Sequence, residues 1–145
     1  MHCVDVNVLV QACVRASPRH REARAWLLQH RADPSGLGLF SVVVSGFLRV
    51  VTDRRVFSEP LDPADAVAFV DTLTASPTVS LLEPGPGHWQ RFREMVLVYR
   101  PACVDMTNVY LAAAALEAHA TWVSFDRGFA RFSQLRWINP ADVAP

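Results

Sequence analysis

Short β-prone runs alternate with helical stretches along this chain, and strands joined through helices are brought side by side in parallel. His2 to Asp5 opens the series, and Val6 to Val14 continues it with too many apolar residues for an exposed segment. That reads as a buried strand turning into a buried helix. From Pro18 to Arg31, residues Ala23, Trp26, Leu27 and His30 fall at i, i+3, i+4 and i+7, one face of a helix that Asp33-Pro-Ser-Gly ends. Leu37 to Phe40 is the next strand, and Ser41 is available to cap an apolar helix reaching about Thr52. Asp62 caps a helix with Pro63 at its first position and Ala66, Phe69, Val70 and Leu73 on its inner face.

Thr78 to Leu82 is a strand, and after Pro84-Gly85-Pro86 a helix places Trp89, Phe92, Val96 and Tyr99 on one stripe before Arg100-Pro101 breaks it. An alanine-rich helix runs from Val104 to His119, packing closely on its neighbours. Strands at Thr121 to Phe125 and Leu135 to Ile138 complete the series. The pattern predicts one α/β domain over residues 1–145, a three-layer α/β/α sandwich around a short parallel sheet.

The 145 residues suffice to bury a core without disulfides or structural metal. No apolar run is long enough for a membrane span, and Met1 to Val10 is too short and lacks the basic start of a signal peptide, so a cytoplasmic location is expected. Cys3, Cys13 and Cys103 lack metal or disulfide spacing and are expected to be small buried residues. The formal charge is +0, which excludes a broad basic face and leaves phosphate binding to local arginine clusters. His2, His20, His30, His88 and His119 show no ligand spacing, and the tryptophans and phenylalanines read mostly as core. Ser35-Gly-Leu-Gly precedes a strand and lacks a third glycine, which argues against a dinucleotide loop.

Ligands in parallel α/β sheets collect at the carboxyl ends of the strands, where Asp5 and Asp126 fall independently. Asp5 is read as an exposed strand-end acid. Asp105 opens the alanine-rich helix and can turn toward the same edge. Three such acids repel one another unless a cation sits between them, and oxygen ligands without cysteine favour Mg2+ or Mn2+, which catalyse phosphodiester hydrolysis. Two other roles stay open. Strand-end carboxylates also form turns, and Asp105 is equally well placed as an N-cap, with Val104 and Val109 as a hydrophobic staple.

Val4 to Val10 (VDVNVLV), Gly46 to Thr52 (GFLRVVT), Leu111 to Glu117 (LAAAALE) and Ser124 to Phe132 (SFDRGFARF) together resemble the PIN-domain toxins of the VapC type, the ribonuclease half of bacterial toxin-antitoxin pairs. The resemblance runs nearly end to end. It implies a Mg2+- or Mn2+-dependent endoribonuclease acting on structured RNA such as tRNA or rRNA, usually a homodimer, neutralised by a small antitoxin. By motif match Asp5 is the first acid and Asp126 the last, with Asn7 and Ser124 as polar accessories.

Gly46 stands where the family commonly has glutamate, Asn108 where it has aspartate, and Val6 where it has Thr or Ser. Asn108 still offers a carbonyl oxygen, Asp105 can supply charge, and Ser45 can hold a water. Arg49 is placed to bind phosphate or to pair with an acid, and Arg127 and Arg131 to grip RNA or simply to be solvated. The reading is a metal-dependent RNA hydrolase in which Asp5, Asp105 and Asp126 hold the ion and Asn108 supports them. Its alternatives are a degenerate PIN domain that binds antitoxin or RNA without cleavage and, more remotely, a nucleotide-binding sensor. Self-association is expected through the apolar faces of Ser41 to Val51 and Val104 to Leu116.

Overall fold

The apolar residues Cys3 and Val4, Leu37 to Phe40, and Trp122 and Val123 are buried, as the central strands of a parallel sheet require, whereas Leu81 of an edge strand is 60% exposed. The computed structural model describes residues 1–142; residues 143–145, the end of the expected domain, lie outside the described residues. Five short strands form one parallel sheet: β1 (His2–Val4), β2 (Leu37–Phe40), β3 (Val79–Leu82), β4 (Thr121–Val123) and β5 (Trp137–Ile138), in the order β3-β2-β1-β4-β5. His2 lies opposite both Leu37 and Thr121, and Val4 opposite Val123. This register delivers Asp5 and Ser124 together at the carboxyl edge.

Among the described residues six helices cover the sheet: α1 (Val6–Cys13), α2 (His20–His30), α3 (Ser41–Val51), α4 (Pro63–Thr74), α5 (His88–Tyr99) and α6 (Met106–Glu117). Helix α1 packs on α2 and α3, α3 packs on α4, and α5 pairs with α6. The chain steps from β1 through β2 to the edge strand β3, then returns past β1 to β4. Right-handed crossovers in the two directions put α1 to α4 on one face and α5 with α6 on the other. The result is the three-layer α/β/α sandwich expected from the sequence. It also creates a topological switch point between β1 and β4, where such sheets bind ligands.

Several local expectations need correction. Phe92, Val96 and Tyr99 of the stripe expected on α5 pack against the core, but Trp89 is 67% exposed, and His88 and Met95 are buried beside them. Cys103 is exposed, unlike buried Cys3. Helix α6 begins only at Met106, after a 3-10 turn at Cys103–Asp105, and Val104 is 85% exposed. With Val104 in solvent, no staple forms against Val109. Its alanines do pack closely: Ala112 to Ala115 are all buried. No helix among the described residues is long and apolar enough to cross a membrane.

Candidate active site

Asp5 ends β1 because its side chain turns back onto the chain, its Oδ1 accepting from the Val6 N–H at 2.7 Å to cap α1. Its Oδ2 accepts from the Ser124 hydroxyl at 2.6 Å and from Asn7 Nδ2 at 2.9 Å. Ser124 in turn accepts from Asn7 Nδ2 at 2.9 Å and from the Asp126 N–H at 3.0 Å, while Asn7 Oδ1 accepts from the Phe125 N–H at 3.1 Å. The two residues assigned accessory positions by motif thus tie the end of β1 to the end of β4.

Asp5 is only 7% exposed, contrary to its reading as an exposed acid. Burial pushes its carboxyl pKa above the ordinary range. The bonds from Ser124, Val6 and Asn7 oppose that shift, and the charge of Asp126 reinforces it. The two acids therefore act on each other across the switch point.

Asp126 is exposed and caps the 3-10 turn Arg127–Arg131, its Oδ1 accepting from the Gly128 N–H at 2.7 Å. Its Oδ2 accepts from Asn108 Nδ2 at 2.9 Å. Asn108 lies in the first turn of α6, so this helix start does reach the same edge. Asp105 does not join it in the same way. Its Oδ2 accepts from Arg131 Nη1 at 3.0 Å, and its side chain makes no capping bond. The 3-10 turn before α6 presents Asp105 to the turn holding Arg131. Among the described residues, Asp5, Asp105 and Asp126 do not bring three carboxylate oxygens within 4.8 Å of one another.

The family departures at Val6 and Gly46 are coupled in space. A Cβ on Gly46 would meet Val6 Cγ2 at 2.9 Å, so the valine fills the room that a longer residue at position 46 would need. Ser45 and Arg49 are exposed, and the Arg49 charge is felt by Asp53, outside the site. Arg127 pairs with Asp142 at 3.2 Å, so both arginines after Asp126 have acidic partners. One basic contact was not anticipated: the Arg19 guanidinium lies 5.2 Å from the centre of the Phe125 ring, beside Asp126. The two residues are far apart in sequence, and no spacing signals their meeting.

An oxygen donor set built from Asp5, Asp126 and the Asn108 amide fits a hard divalent cation. Asn108 now turns its N–H toward Asp126, doing for that carboxylate part of what a cation would do. To coordinate through Oδ1, the amide would have to turn over.

Acids gathered at the switch point of a parallel sheet define an α/β domain that works at its strand ends. A profile of the PIN domain matches residues 2–135, and the chain belongs to the PIN domain family. It is 48% identical over 142 residues to "VapC ribonuclease Mb2897" of Mycobacterium bovis, covering 98% of this chain and 97% of that relative. It is 37% identical over 136 residues to "Ribonuclease VapC33" of Mycobacterium tuberculosis, covering 94% and 95% of the two chains. Among solved structures, VapBC2 from Rickettsia felis, bound to a promoter DNA fragment, shares the fold with a TM-score of 0.70 at 14% identity, covering 95% of this chain and 97% of that one. Mycobacterium tuberculosis VapC20, described as a sarcin-ricin loop cleaving toxin, shares it with a TM-score of 0.67 at 12% identity, covering 94% and 98%.

Proposed function

We propose that this chain is the endoribonuclease toxin of a toxin-antitoxin pair, with a Mg2+ or Mn2+ centre at the β1–β4 switch point. The observation that carries this reading is the coupling of buried Asp5 to exposed Asp126 through Ser124 and Asn7, in a chain 48% identical to a named VapC ribonuclease. In this proposal Asp5 and Asp126 hold the ion and Asn108 supports it. Asp105 is a conditional ligand that must first leave Arg131. When bound, the ion would supply Lewis-acid stabilisation of a scissile phosphate and activation of water.

The chain's own groups have definable tasks. Ser124 and Asn7 orient Asp5, and Gly128 orients Asp126. Arg19, over Phe125 and paired with Glu22 at 3.3 Å, would reach the RNA backbone at the rim of the site by exchanging that exposed carboxylate for a phosphate. A structured RNA substrate, a small antitoxin, a homodimer and a cytoplasmic setting belong to the same proposal. Support for a partner surface comes from an apolar groove lined by Val42, Phe92, Met106, Thr107 and Tyr110, which joins the start of α3 to α6.

A specific observation favours a second reading, a domain that binds without cutting: Asn108 already satisfies Asp126, and Val6 fills the space at Gly46. Incubating the purified chain with total RNA in Mn2+ or in chelator separates the two. The proposal expects new RNA 5′ ends in Mn2+ only. Intact RNA, together with capture of a small antitoxin, would favour the second reading.

A further inference from the structure

The opposite end of the sheet holds another cluster of metal-binding side chains. His2 opens β1, His30 closes α2 and Asp33 lies in the loop before β2, and one ligand atom from each lies within 4.8 Å of the others. The sequence shows no ligand spacing among the histidines, yet the fold brings these three side chains together. Only the His30–Asp33 pair is local, and pairing of β1 with β2 brings in His2.

Each side chain is already oriented. His30 Nδ1 lies 2.8 Å from the Trp26 carbonyl oxygen, which can only accept, so this nitrogen donates and Nε2 is the one left to ligate an ion. The same ring stacks on Trp26 with centroids 3.9 Å apart. His2 meets both rings edge-on, at 5.5 Å from Trp26 and 5.1 Å from His30, and its Nδ1 is buried with no hydrogen-bond partner among the described residues. Asp33 Oδ1 accepts from the Ser35 N–H at 2.8 Å, which fixes the carboxylate in its turn. Gly36, at φ +85°, closes this turn with a 2.9 Å bond to the Asp33 carbonyl and accepts from the His2 N–H at 3.0 Å.

We propose that His2, His30 and Asp33 form a second metal site, for a borderline divalent ion of the Zn2+ class. Two imidazole nitrogens and one carboxylate oxygen are a donor set that Zn2+ takes, with water in the fourth position. Mg2+ and Mn2+ prefer the all-oxygen set at the other edge, so the two ends of the sheet select different metals. Bonds of about 2.0–2.1 Å put tetrahedral ligands about 3.4 Å apart, so ligand atoms now within 4.8 Å of one another need only draw together modestly to close on the ion. The ion would clasp the end of α2 and the loop before β2 to the start of β1. This proposal is independent of the nuclease reading.

Calorimetric titration of the untagged full chain with ZnCl2 tests it, with Asp33→Asn, His30→Gln and Asp126→Asn as variants and circular dichroism as the check on folding. Asp33→Asn keeps an oxygen to accept from Ser35, so its turn persists. The wild type should bind one Zn2+, Asp126→Asn should match it within about threefold, and Asp33→Asn and His30→Gln should each weaken binding at least about tenfold. Co2+ substitution should give the visible absorption of a tetrahedral site in the wild type and Asp126→Asn alone. No saturable binding by the wild type, wild-type affinity in either cluster variant, or loss of binding in Asp126→Asn would each overturn the proposal.

Discussion

Asn108→Asp would remove the 2.9 Å bond from the Asn108 amide to Asp126 and put a second carboxylate in its place. A hydrogen bond to a charged group contributes about 1.5–3 kcal/mol, and exposure of Asp126 brings this toward about 1 kcal/mol. Two unit charges about 4 Å apart repel by about 1 kcal/mol in water, which applies better here than the larger interior figure. The metal-free variant should thus lose about 2 kcal/mol, lowering Tm by about 4–8 °C for a chain of this size. Divalent metal reverses the sign. At about 100 times its Kd a ligand that binds only the folded state stabilises by about 2.7 kcal/mol, and the added carboxylate should strengthen Mn2+ binding. Melting curves of both proteins in chelator and across a Mn2+ series measure the two effects. Identical melting in chelator together with an identical Mn2+ shift would place position 108 outside the metal centre.

Gly46→Ala should destabilise by about 1 kcal/mol despite the helix-favouring alanine, since its Cβ meets Val6 at 2.9 Å; Val6→Ala in the same chain should recover most of the loss in chemical denaturation. Burial raises the folded-state pKa of Asp5, so its contribution to metal-free stability is full below the ordinary carboxylate range and is lost as pH rises through the elevated value. Because an ion must displace that proton, Mn2+ affinity should rise over the same interval, and a pH-independent affinity would contradict the shift. Arg131→Ala should tighten Mn2+ binding a few-fold by releasing Asp105, at a stability cost below about 1 kcal/mol for so exposed a pair. Unchanged calorimetric affinity would leave Asp105 out of the site.

The parts legible in the sequence were those encoded locally. β-prone runs ending in Asp5 and just before Asp126 lie close to strands β1 and β4, and parallel pairing places their ends together whatever the loops do. The motif also located Asn7 and Ser124, whose hydrogen bonds link those ends. Contacts between distant segments were not legible. Asp105 looked like a cap because its neighbours had the right polarity, yet Arg131 takes its carboxylate and Val104 points to solvent. Spacing along α5 put Phe92, Val96 and Tyr99 on the inner stripe, where they pack, but also Trp89, which lies in solvent while His88 and Met95 are buried. The burial of Asp5 likewise depends on Ser124, more than a hundred residues away.

The most direct test of the proposed centre is Mn2+-dependent RNA cleavage by the wild type and by Asp126→Asn. Asp126 is the better probe because it is exposed: an asparagine oxygen can still accept from Gly128 while Asn108 turns its own carbonyl toward the new amide, whereas an amide at buried Asp5 would face the fixed Val6 N–H or the Ser124 and Asn7 donors. The account predicts Mn2+-dependent cleavage by the wild type, at least about a hundredfold slower in the variant, with Tm in chelator changed by no more than a few degrees. Wild-type cleavage rates in a folded Asp126→Asn protein would contradict it.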